Sequence, residues 1–437
     1  ATGNYTWNDI YLADFSVRFD GSSDFGSKQR WAPFFSGGLG VNIHNYEFLK
    51  GNEIVNKLKV RASYGRTGKA SFPAYAATTM YEALFDEWYA TGFGAVLKAL
   101  GNNNLTWEKT DKFNVGIEMQ FLNRRLTVDA DYYHDKTIDL VNDVSLSQTS
   151  GFSSYKDNMG EVLNQGFELQ VRGEVFRNRD WLVALWGNMA HNKNKILKIS
   201  DSQRAYNQRV KEFYENIVNE EYGRYNSKYG VPISQYEEGQ SLTSIWAVKS
   251  LGIDPTTGKE IFLNRDGSVS DTWNATQEVA VGNTEPKFNG SIGFNAAYKQ
   301  WSLFAAFQYE WGGQEYNQTL VDRVENARIQ YQNVDLRVLT DRWKQPGDIA
   351  QFKDIKNADS ATMPTSRFVQ DKAYLRLSAL TLSYDFNREW IKKYLGMNML
   401  RLEASTRDFI NWNSIRQERG LSYPKSWTVD FSIKAQF

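Results

Sequence analysis

Cysteine is absent from the 437-residue chain, and histidine occurs only three times, as His44, His134 and His191. Without cysteine the chain forms no disulfide, no thiolate metal site and no cysteine nucleophile. The histidines lie far apart without metal-type spacing, and no HExxH, Walker or nucleophile-elbow sequence is present. We therefore predict no catalytic residue, no metal site and no cofactor, and we do not expect an enzyme.

Net charge and long apolar segments are also missing. The 51 Lys and Arg residues balance the 51 Asp and Glu residues, which removes the sequence-independent attraction to phosphate that nucleic-acid-binding proteins use. The longest strongly apolar run covers only residues 181–186, whereas a membrane-spanning helix needs about 20 residues. These absences argue against a nucleic-acid partner and exclude transmembrane helices.

Aromatic residues, by contrast, are abundant. The chain contains 14 Trp, 24 Tyr and 26 Phe residues, although its mean hydropathy is only −0.56. So many rings in a polar sequence indicate that many of them lie beside water.

Apolar and polar residues alternate along most of the chain, which is the pattern of β-strands with one apolar and one polar face. In the last segment the apolar residues occupy the odd positions: Trp427, Val429, Phe431, Ile433, Ala435 and Phe437. The even positions from 428 to 436 are all polar. The same alternation recurs at residues 113–121 and 167–175, so these strands are predicted to have one strongly charged face.

Twelve such segments begin near residues 9, 32, 57, 107, 125, 166, 181, 287, 301, 373, 399 and 426. Long and short connections alternate along the chain. Residues 21–31, for example, form a long connection, and residues 299–300 form a two-residue turn. An up-and-down transmembrane barrel has this asymmetry, with short periplasmic turns and long extracellular loops, whereas a β-sandwich gives no reason for it. We therefore predict an all-β fold, namely an antiparallel transmembrane β-barrel with long extracellular loops.

Six tryptophans fall at or near the predicted strand ends: Trp107, Trp181, Trp301, Trp311, Trp412 and Trp427. In a barrel, such positions correspond to the aromatic girdles at the two membrane interfaces. The alternative is that these rings form the core of a soluble β protein. We favour girdles because the charged strand faces suit a water-filled or plugged lumen better than the interior of a sandwich.

The long connections contain local structure of their own. A ragged apolar stripe on a charged segment predicts a helix over residues 204–225. Turn residues at 254–258 and 264–267 bracket a predicted short strand at residues 260–263. Asp266 and Asp271 flank a glycine without the spacing of a calcium loop, so we interpret them as part of a turn. The cluster Gly37, Gly38 and Gly40 lies inside an alternating strand and is interpreted as structural rather than phosphate-binding.

Side chains on the polar strand faces are candidates to line the lumen: Glu118, Gln120, Asp129, Asp131, Glu168, Gln170 and Arg172. Among them we select Glu118, Glu168 and Arg172 as candidate substrate-binding residues, and the alternative is that they are solvated wall residues. The loop aromatics Tyr236, Trp246 and Trp273 are candidates to stack on sugar rings or peptide side chains. Their alternative role is to pack the loops together.

A series of motifs follows in order along the chain. VRFDGSSDFG occupies residues 17–26, LKVRASYGRTG residues 58–68, LTWEKTDKFNVG residues 105–116 and YYHDKTIDL residues 132–140. TSGFSSYKDNMGEVLNQGFEL lies at 149–169, HNKNKI at 191–196, GIDPTTGKEIF at 252–262, VGNTEPKFNGSIGF at 281–294 and YLRLSALTLSYDF at 374–386. Together these motifs resemble the C-terminal half of SusC/RagA-type TonB-dependent transporters of Bacteroidetes outer membranes.

The resemblance implies a 22-stranded barrel with a plugged lumen, of which residues 1–437 would form about twelve C-terminal strands. The remaining N-terminal barrel strands, the plug and the segment that contacts the TonB complex are then expected outside this chain, which is either a fragment or half of a split transporter. The sequence departs from the family pattern at Arg416-Gln417-Glu418 and in the helical insert at 204–225.

The resemblance also implies a function and its partners. We expect active import of oligosaccharides or oligopeptides across the outer membrane of a Gram-negative cell, energised by TonB and assisted by a SusD-like surface lipoprotein. Outer-membrane lipid is the other expected partner. Two alternatives remain open: a TonB-dependent receptor for siderophores or vitamin B12, and a secreted β-rich glycan-binding protein or glycosidase, whose carboxylate pair a sequence cannot identify.

Overall fold

The structure is a computed structural model. It describes residues 1–22, 30–70, 77–145, 154–158, 160–216, 236–327, 329–331, 334–357, 361–386, 388–416 and 427–437. Most of these residues form β-strands, which assemble into one large antiparallel sheet and three small sheets.

Twenty-two strands lie within this part of the chain. The first eleven are β1 Thr2–Trp7, β2 Tyr11–Gly21, β3 Trp31–Asn42, β4 Val55–Lys69, β5 Met80–Tyr89, β6 Gly92–Ala99, β7 Glu108–Phe121, β8 Leu126–Ile138, β9 Val141–Ser145, β10 Ser154–Asn158 and β11 Gly160–Arg177. The others are β12 Trp181–Ile199, β13 Ser244–Ile253, β14 Glu260–Leu263, β15 Val269–Ser270, β16 Glu278–Asn283, β17 Phe288–Tyr298, β18 Trp301–Tyr316, β19 Val369–Asp385, β20 Met399–Thr406, β21 Asn411–Asn413 and β22 Val429–Gln436.

The large sheet has the order β1-β2-β3-β4-β7-β8-β11-β12-β17-β18-β19-β20-β22, and β21 pairs with β19. All twelve predicted strands are present in it, each starting within a few residues of its predicted position. The prediction missed β1, which has only six residues and joins β2 through a tight turn. Asn8 and Asp9 in that turn have φ angles of 53° and 55°, and positive φ at both central residues is the feature of a type I′ turn.

The register of the strands keeps like faces together. Leu169 lies opposite Ala130 and Met189, whereas its neighbour Glu168 lies opposite Asp131 and Ala190. Apolar rings and aliphatic side chains on the outer face are widely exposed, and Phe15 in β2, a strand that is paired on both sides, is 60% exposed. Rings so exposed do not pack against a second sheet, so the sandwich alternative is excluded.

The connections of the large sheet are sorted by length, as predicted. One end of the sheet carries the short connections at residues 8–10, 43–54, 122–125, 178–180, 299–300 and 386–398. The opposite end carries the long connections at residues 22–30, 70–107, 139–159, 200–287, 317–368 and 407–428. We call these the short-turn end and the long-loop end, and in an outer-membrane barrel they face the periplasm and the outside.

Five of the six tryptophans predicted near strand ends are exposed: Trp181, Trp301, Trp311, Trp412 and Trp427. Trp107 differs, and its placement in a girdle was wrong. It is 7% exposed and forms a buried cluster with Ala32 and Phe34, whose ring centroid lies 5.6 Å from that of Trp107. Because Ala32 and Phe34 alternate with the exposed residues of β3, this cluster lies on the inner side of the sheet.

Among the described residues, the long loops contain the remaining sheets and all helices except Ile43–Asn45 and Arg388–Leu395. The connection 200–287 forms a four-stranded sheet of order β15-β14-β13-β16, and two hairpins pair β5 with β6 and β9 with β10. The α-helices are Asp201–Asn216, Gln318–Leu320, Arg337–Thr340 and Arg388–Leu395, the last of which lies at the short-turn end. The 3-10 helices are Ile43–Asn45, Ala275–Gln277, Ile355–Asn357 and Ser366–Phe368, and a π-helix spans Val321–Glu325. No helix in the described ranges is long and apolar enough to cross a membrane.

Two loop predictions are tested directly. The strand predicted at residues 260–263 is β14. The helix predicted over 204–225 begins earlier, at Asp201, and its part beyond Asn216 lies outside the described residues. The cluster Gly37, Gly38 and Gly40 lies inside β3, as predicted, where Gly38 makes room for the carboxylate of Asp14 on the paired strand.

A buried ion triad joins the two longest connections. Arg367 donates to Glu260 at 2.9 and 3.1 Å and to Glu325 at 2.6 and 3.3 Å, and the Glu325 side chain is fully buried. Burial by itself lowers the pKa of Arg367, but its hydrogen bonds to the two carboxylates raise that pKa above its ordinary value. Beside the triad lies an apolar cluster of Leu320, Val321, Val324, Ala327, Val338, Phe352 and Phe368. We call this joined unit, the described residues of 236–283 and 317–368, the loop platform.

The ion triad gives a first prediction about the loop platform. Replacing Arg367 with Met leaves two buried carboxylates without their partner, which typically costs about 3–5 kcal/mol. We expect hydrogen exchange in β13 to β16 of the full-length protein to accelerate by several hundredfold or more. The control Arg204→Met breaks only the exposed pairs with Asp201 and Glu238, which are worth at most about 1 kcal/mol. Equal protection in both variants would contradict the stabilising role of the triad.

The two faces of the sheet give a second prediction. Leu169→Arg places a charge on the apolar face in the middle of β11, where it costs about 2–4 kcal/mol in a bilayer. The adjacent control, Gln170→Arg, places the same charge on the polar face and is expected to cost little. The folded fraction of each full-length variant in a urea titration, read from heat-modifiable gel mobility, measures the difference. Similar losses in both variants would show that the faces are assigned wrongly.

Candidate functional site

The polar face of the sheet carries a network of cross-strand ion pairs. Lys57 Nζ lies 2.6 Å from Glu118 Oε2, and Lys59 Nζ lies 3.6 Å from Glu118 Oε1. Arg61 lies between two carboxylates, with Nε 3.4 Å from Glu118 and Nη2 2.6 Å from Asp131. These side chains extend from β4, β7 and β8, and they are partly exposed. The wall is therefore highly polar, but neighbouring charges largely compensate one another.

Two glycines make this polar face possible. A Cβ atom at position 116 would collide with the Asp131 carboxylate and approach the Arg61 guanidinium to 2.9 Å. A Cβ atom at position 166 would collide with the backbone of β12 and approach the Tyr133 hydroxyl to 2.7 Å. The absence of side chains at these positions lets long side chains from neighbouring strands cross the face and meet.

The structure brings the three predicted wall residues onto one face. Glu168 and Arg172 lie on β11 with exposed side chains, and Glu118 lies two strands away on β7. The row of residues Glu118, Asp129 and Gln170 connects them across paired strands. Glu118 is held by three cationic side chains, which favours its role as a wall residue. Contact of Glu118, Glu168 or Arg172 with substrate remains a prediction.

The three predicted loop aromatics lie in the connection 200–287 and are half-buried. Trp273 Nε1 donates to the carbonyl oxygen of Pro364 at 3.0 Å, so its polar atom ties one long connection to the next. Trp246 lies in β13 opposite Ala280, and the backbone oxygen of Tyr236 accepts a hydrogen bond from Asn207 at 2.9 Å. These contacts favour loop packing, and stacking on a substrate remains a prediction for all three.

A polar pocket of about 870 Å³ lies at the long-loop end of the wall. On one side Glu285 accepts hydrogen bonds from the Asn192 side chain and, at 3.3 Å, from the backbone N–H of Asn194. The Asn194 side chain donates to Asn164 at 2.7 Å and accepts from Ser241 at 3.1 Å. Asn192 in turn accepts a hydrogen bond of 2.8 Å from the Tyr133 hydroxyl.

The opposite side of the pocket is formed by β18 and β19. Gln314 accepts from the backbone N–H of Asn283 at 3.1 Å and donates to Asp371 at 3.1 Å. Lys372 lies beside Asp371 and pairs with Glu315 at 3.2 Å. The pocket thus offers amides, carboxylates and an ammonium group within one concave surface. Such a set binds a ligand rich in hydroxyl or peptide groups by hydrogen bonding.

Sequence reasoning missed this pocket, although one side of it is formed by the motifs HNKNKI and VGNTEPKFNGSIGF. The first motif places Asn192 and Asn194 in β12, and the second places Glu285 just before β17, the neighbour of β12 in the sheet. This proximity can be predicted only when the strand order is known, because Asn192 and Glu285 are 93 positions apart in sequence.

The loop platform also buries the carboxyl group of Glu278, the first residue of the pocket strand β16. Glu278 is only 4% exposed, and Arg265 donates to its backbone oxygen rather than to its carboxylate, from Nε at 3.0 Å and also from Nη2. Burial raises the pKa of Glu278 to about 8, and the charge of Arg265 offsets part of the increase. At neutral pH this side chain is therefore mostly protonated.

A wall with one lipid-facing surface, one charged surface and connections sorted by length defines an outer-membrane β-barrel protein. The family described as "TonB dependent receptor-like, beta-barrel" matches residues 1–406, and the chain belongs to this family. It is similar to SusC and to RagA-type members of this family, as the relatives described next show, and it is located in the outer membrane. This is a family of transport proteins rather than enzymes.

Curated relatives and solved structures agree with this assignment. The chain is 27% identical over 416 residues to TonB-dependent receptor P3 of Formosa agariphila, covering 94% of the chain and 40% of the relative. It is 33% identical over 207 residues to TonB-dependent receptor SusC of Bacteroides thetaiotaomicron, covering 45% of the chain and 20% of SusC.

The fold is similar to that of the RagAB peptide importer in its "closed-closed" state, with a TM-score of 0.80, 23% identity and coverage of 100% of the chain and 47% of that structure's chain. The chain thus spans less than half the length of the proteins it matches.

The buried Glu278 gives a prediction about pH. Its folded-state pKa of about 8 exceeds the ordinary value of 4.5, so between these values the folded state holds a proton that the unfolded state lacks. The stability of the loop platform therefore falls as pH rises through this window, by up to about 1.4 kcal/mol per pH unit. Protection factors of β13 and β16 at pH 6 and pH 8 in the full-length protein measure this slope.

Glu278→Gln is expected to flatten that slope. The control is Glu238→Gln, because hydrogen bonds from the Ile199 backbone and Arg204 lower the pKa of the exposed Glu238 below its ordinary value, outside the window. An unchanged slope in Glu278→Gln would show that another group is responsible.

Proposed function

We propose that this chain forms the wall and extracellular loops of an outer-membrane importer for oligosaccharides or oligopeptides. In this proposal the substrate enters from the long-loop end, binds in the polar pocket and moves along the charged inner face. The importer works with a SusD-like surface lipoprotein and takes its energy from TonB. In this proposal the plug and the segment that contacts TonB lie outside residues 1–437.

The polar pocket is the observation that supports the proposal most. Its lining residues come from five strands, β12, β13, β16, β18 and β19, and from residues 240–241, 285–287 and 414. A ligand with many repeated polar groups matches such a surface better than a compact apolar ligand. The structurally similar RagAB is a peptide importer, which makes oligopeptides a substrate class to test alongside oligosaccharides.

Electrostatic balance is a second supporting feature. The cations of β4 are paired with carboxylates of β7 and β8, so the wall presents alternating charges rather than a field of one sign. Because no region of the wall has a strong potential of one sign, a neutral or mixed-charge oligomer is not bound tightly by electrostatic attraction as it moves along the wall.

The experiment uses the full-length transporter and its lipoprotein in cells that lack other importers of this class. Uptake is measured separately for a pool of oligosaccharides and a pool of oligopeptides. The double variant Asn192→Ala and Asp371→Ala removes one polar group from each side of the pocket, and we expect uptake of one pool at limiting concentration to fall roughly tenfold. The matched control Asn264→Ala removes an amide from an exposed turn of the loop platform and is expected to preserve uptake.

Surface amounts of each variant are compared by outer-membrane fractionation, so that a loss of protein is separated from a loss of binding. Unchanged uptake of both pools in the double variant, at equal surface amounts, would refute the pocket as the substrate site. Failure of the wild-type protein to import either pool would refute the proposed substrate classes.

A further inference from the structure

The helix Arg388–Leu395 is the largest structure in any connection at the short-turn end. It lies between β19 and β20 and packs against β20 through the fully buried Ile391. Trp390 and Tyr394, one helical turn apart, are 48% and 63% exposed. The helix therefore has one side against the sheet and a partly exposed aromatic surface.

The aromatic side of this helix continues a belt of rings on the outer face of the sheet. Neighbouring ring centroids in the belt are 4.4 to 6.1 Å apart within two runs: Trp181 to Tyr298, and Trp301 through Tyr384, Phe386 and Trp390 to Tyr394. Tyr298 lies opposite Trp301 in the β17–β18 pair, so the two runs adjoin. We call this set the ring belt.

The strand register shows that the ring belt faces lipid. Tyr384 lies opposite Leu402, which in turn lies opposite the exposed Ile433 of the last strand. These residues belong to the apolar face of the sheet. Tyrosine and tryptophan rings at the end of such a face occupy the headgroup level of the bilayer, so the helix is at the same level on the periplasmic side.

Basic side chains accompany the ring belt. Lys299 Nζ lies 5.3 Å from the ring centroid of Tyr298, and Lys393 Nζ lies 5.2 Å from that of Tyr394. Lys392, next to Lys393, is exposed. The helix has three basic residues and only one acidic residue, Glu389, so its formal charge is +2. Ammonium groups held over interfacial rings are at the depth of phospholipid phosphates.

We propose that the helix Arg388–Leu395 lies in the periplasmic interface of the outer membrane and binds anionic phospholipid headgroups through Lys392 and Lys393, with Lys299 extending the same site. The apolar rings enter the acyl boundary, and the ammonium groups pair with phosphate oxygens. Continuity with the lipid-facing wall identifies a membrane lipid as the occupant, and the positive charge selects anionic lipid. The site does not depend on the proposed substrate.

The test uses the full-length protein in nanodiscs of mixed phosphatidylcholine and phosphatidylglycerol. Native mass spectrometry measures how strongly phosphatidylglycerol is enriched on the protein. We expect Lys392→Gln with Lys393→Gln to reduce the affinity for phosphatidylglycerol by roughly fivefold for each lysine. The matched control Lys249→Gln with Lys259→Gln removes two exposed lysines of the loop platform at the other end of the sheet, and it should leave the enrichment unchanged. Equal enrichment in the wild type and the Lys392/Lys393 variant, or an equal loss in both variants, would overturn the proposal.

A second measurement tests the depth of the helix independently of charge. Because the chain has no cysteine, Leu395→Cys and Lys259→Cys each provide one attachment site within it for a spin label. At position 395 we expect faster relaxation by membrane-dissolved oxygen than by a water-soluble nickel chelate, and the reverse at position 259. The proposal would also be overturned if the nickel chelate relaxed the label at position 395 faster than oxygen does.

Discussion

The structure depends on one constraint: every strand of the large sheet must present one face to lipid and the other to water, and all strands must agree. Hydrogen-bonded register enforces this agreement, because a slip of one residue turns a whole strand over. One strand pair illustrates this constraint. Leu169 lies opposite Ala130 on the apolar face, and the adjacent Glu168 lies opposite Asp131 on the polar face. The glycines that let long polar side chains meet, the ion pairs of the wall and the exposed rings of the outer face all follow from it.

Charge is handled in two different ways in this protein. On the wall, ion pairs such as Arg61 with Asp131 remain partly exposed, so solvent screens them and their contribution to stability is small. In the loop platform, Arg367 and its two carboxylates are almost completely removed from water. A buried triad is tolerated only with nearly complete hydrogen bonding, and it thereby fixes how two distant connections sit against each other. The wall is adaptable in its side chains, whereas the platform above it is held rigidly.

The sequence predicts the wall well and the site poorly, for physical reasons. Strands with a single lipid-facing side have a strict period of two in their apolar residues. The sequence alone therefore predicts twelve of these strands and the alternation of long and short connections between them. The same pattern cannot distinguish Trp107, which is buried against Phe34, from an interfacial tryptophan, because both lie at strand ends. The pocket escapes prediction because Asn192, Glu285 and Asp371 meet only through the order of the strands. Short β1 is missed because six residues carry too little periodicity.

The contact between Glu260 and Arg367 joins residues 107 positions apart, and the hairpin of β17 and β18 lies between them. Closing so long a segment from an unfolded chain is entropically unfavourable, but pairing β17 with β18 brings both connections to the same end of the sheet first. The hairpin thereby shortens the loop that the triad has to close, so the wall that separates lipid from water also lowers the entropic cost of ordering the platform.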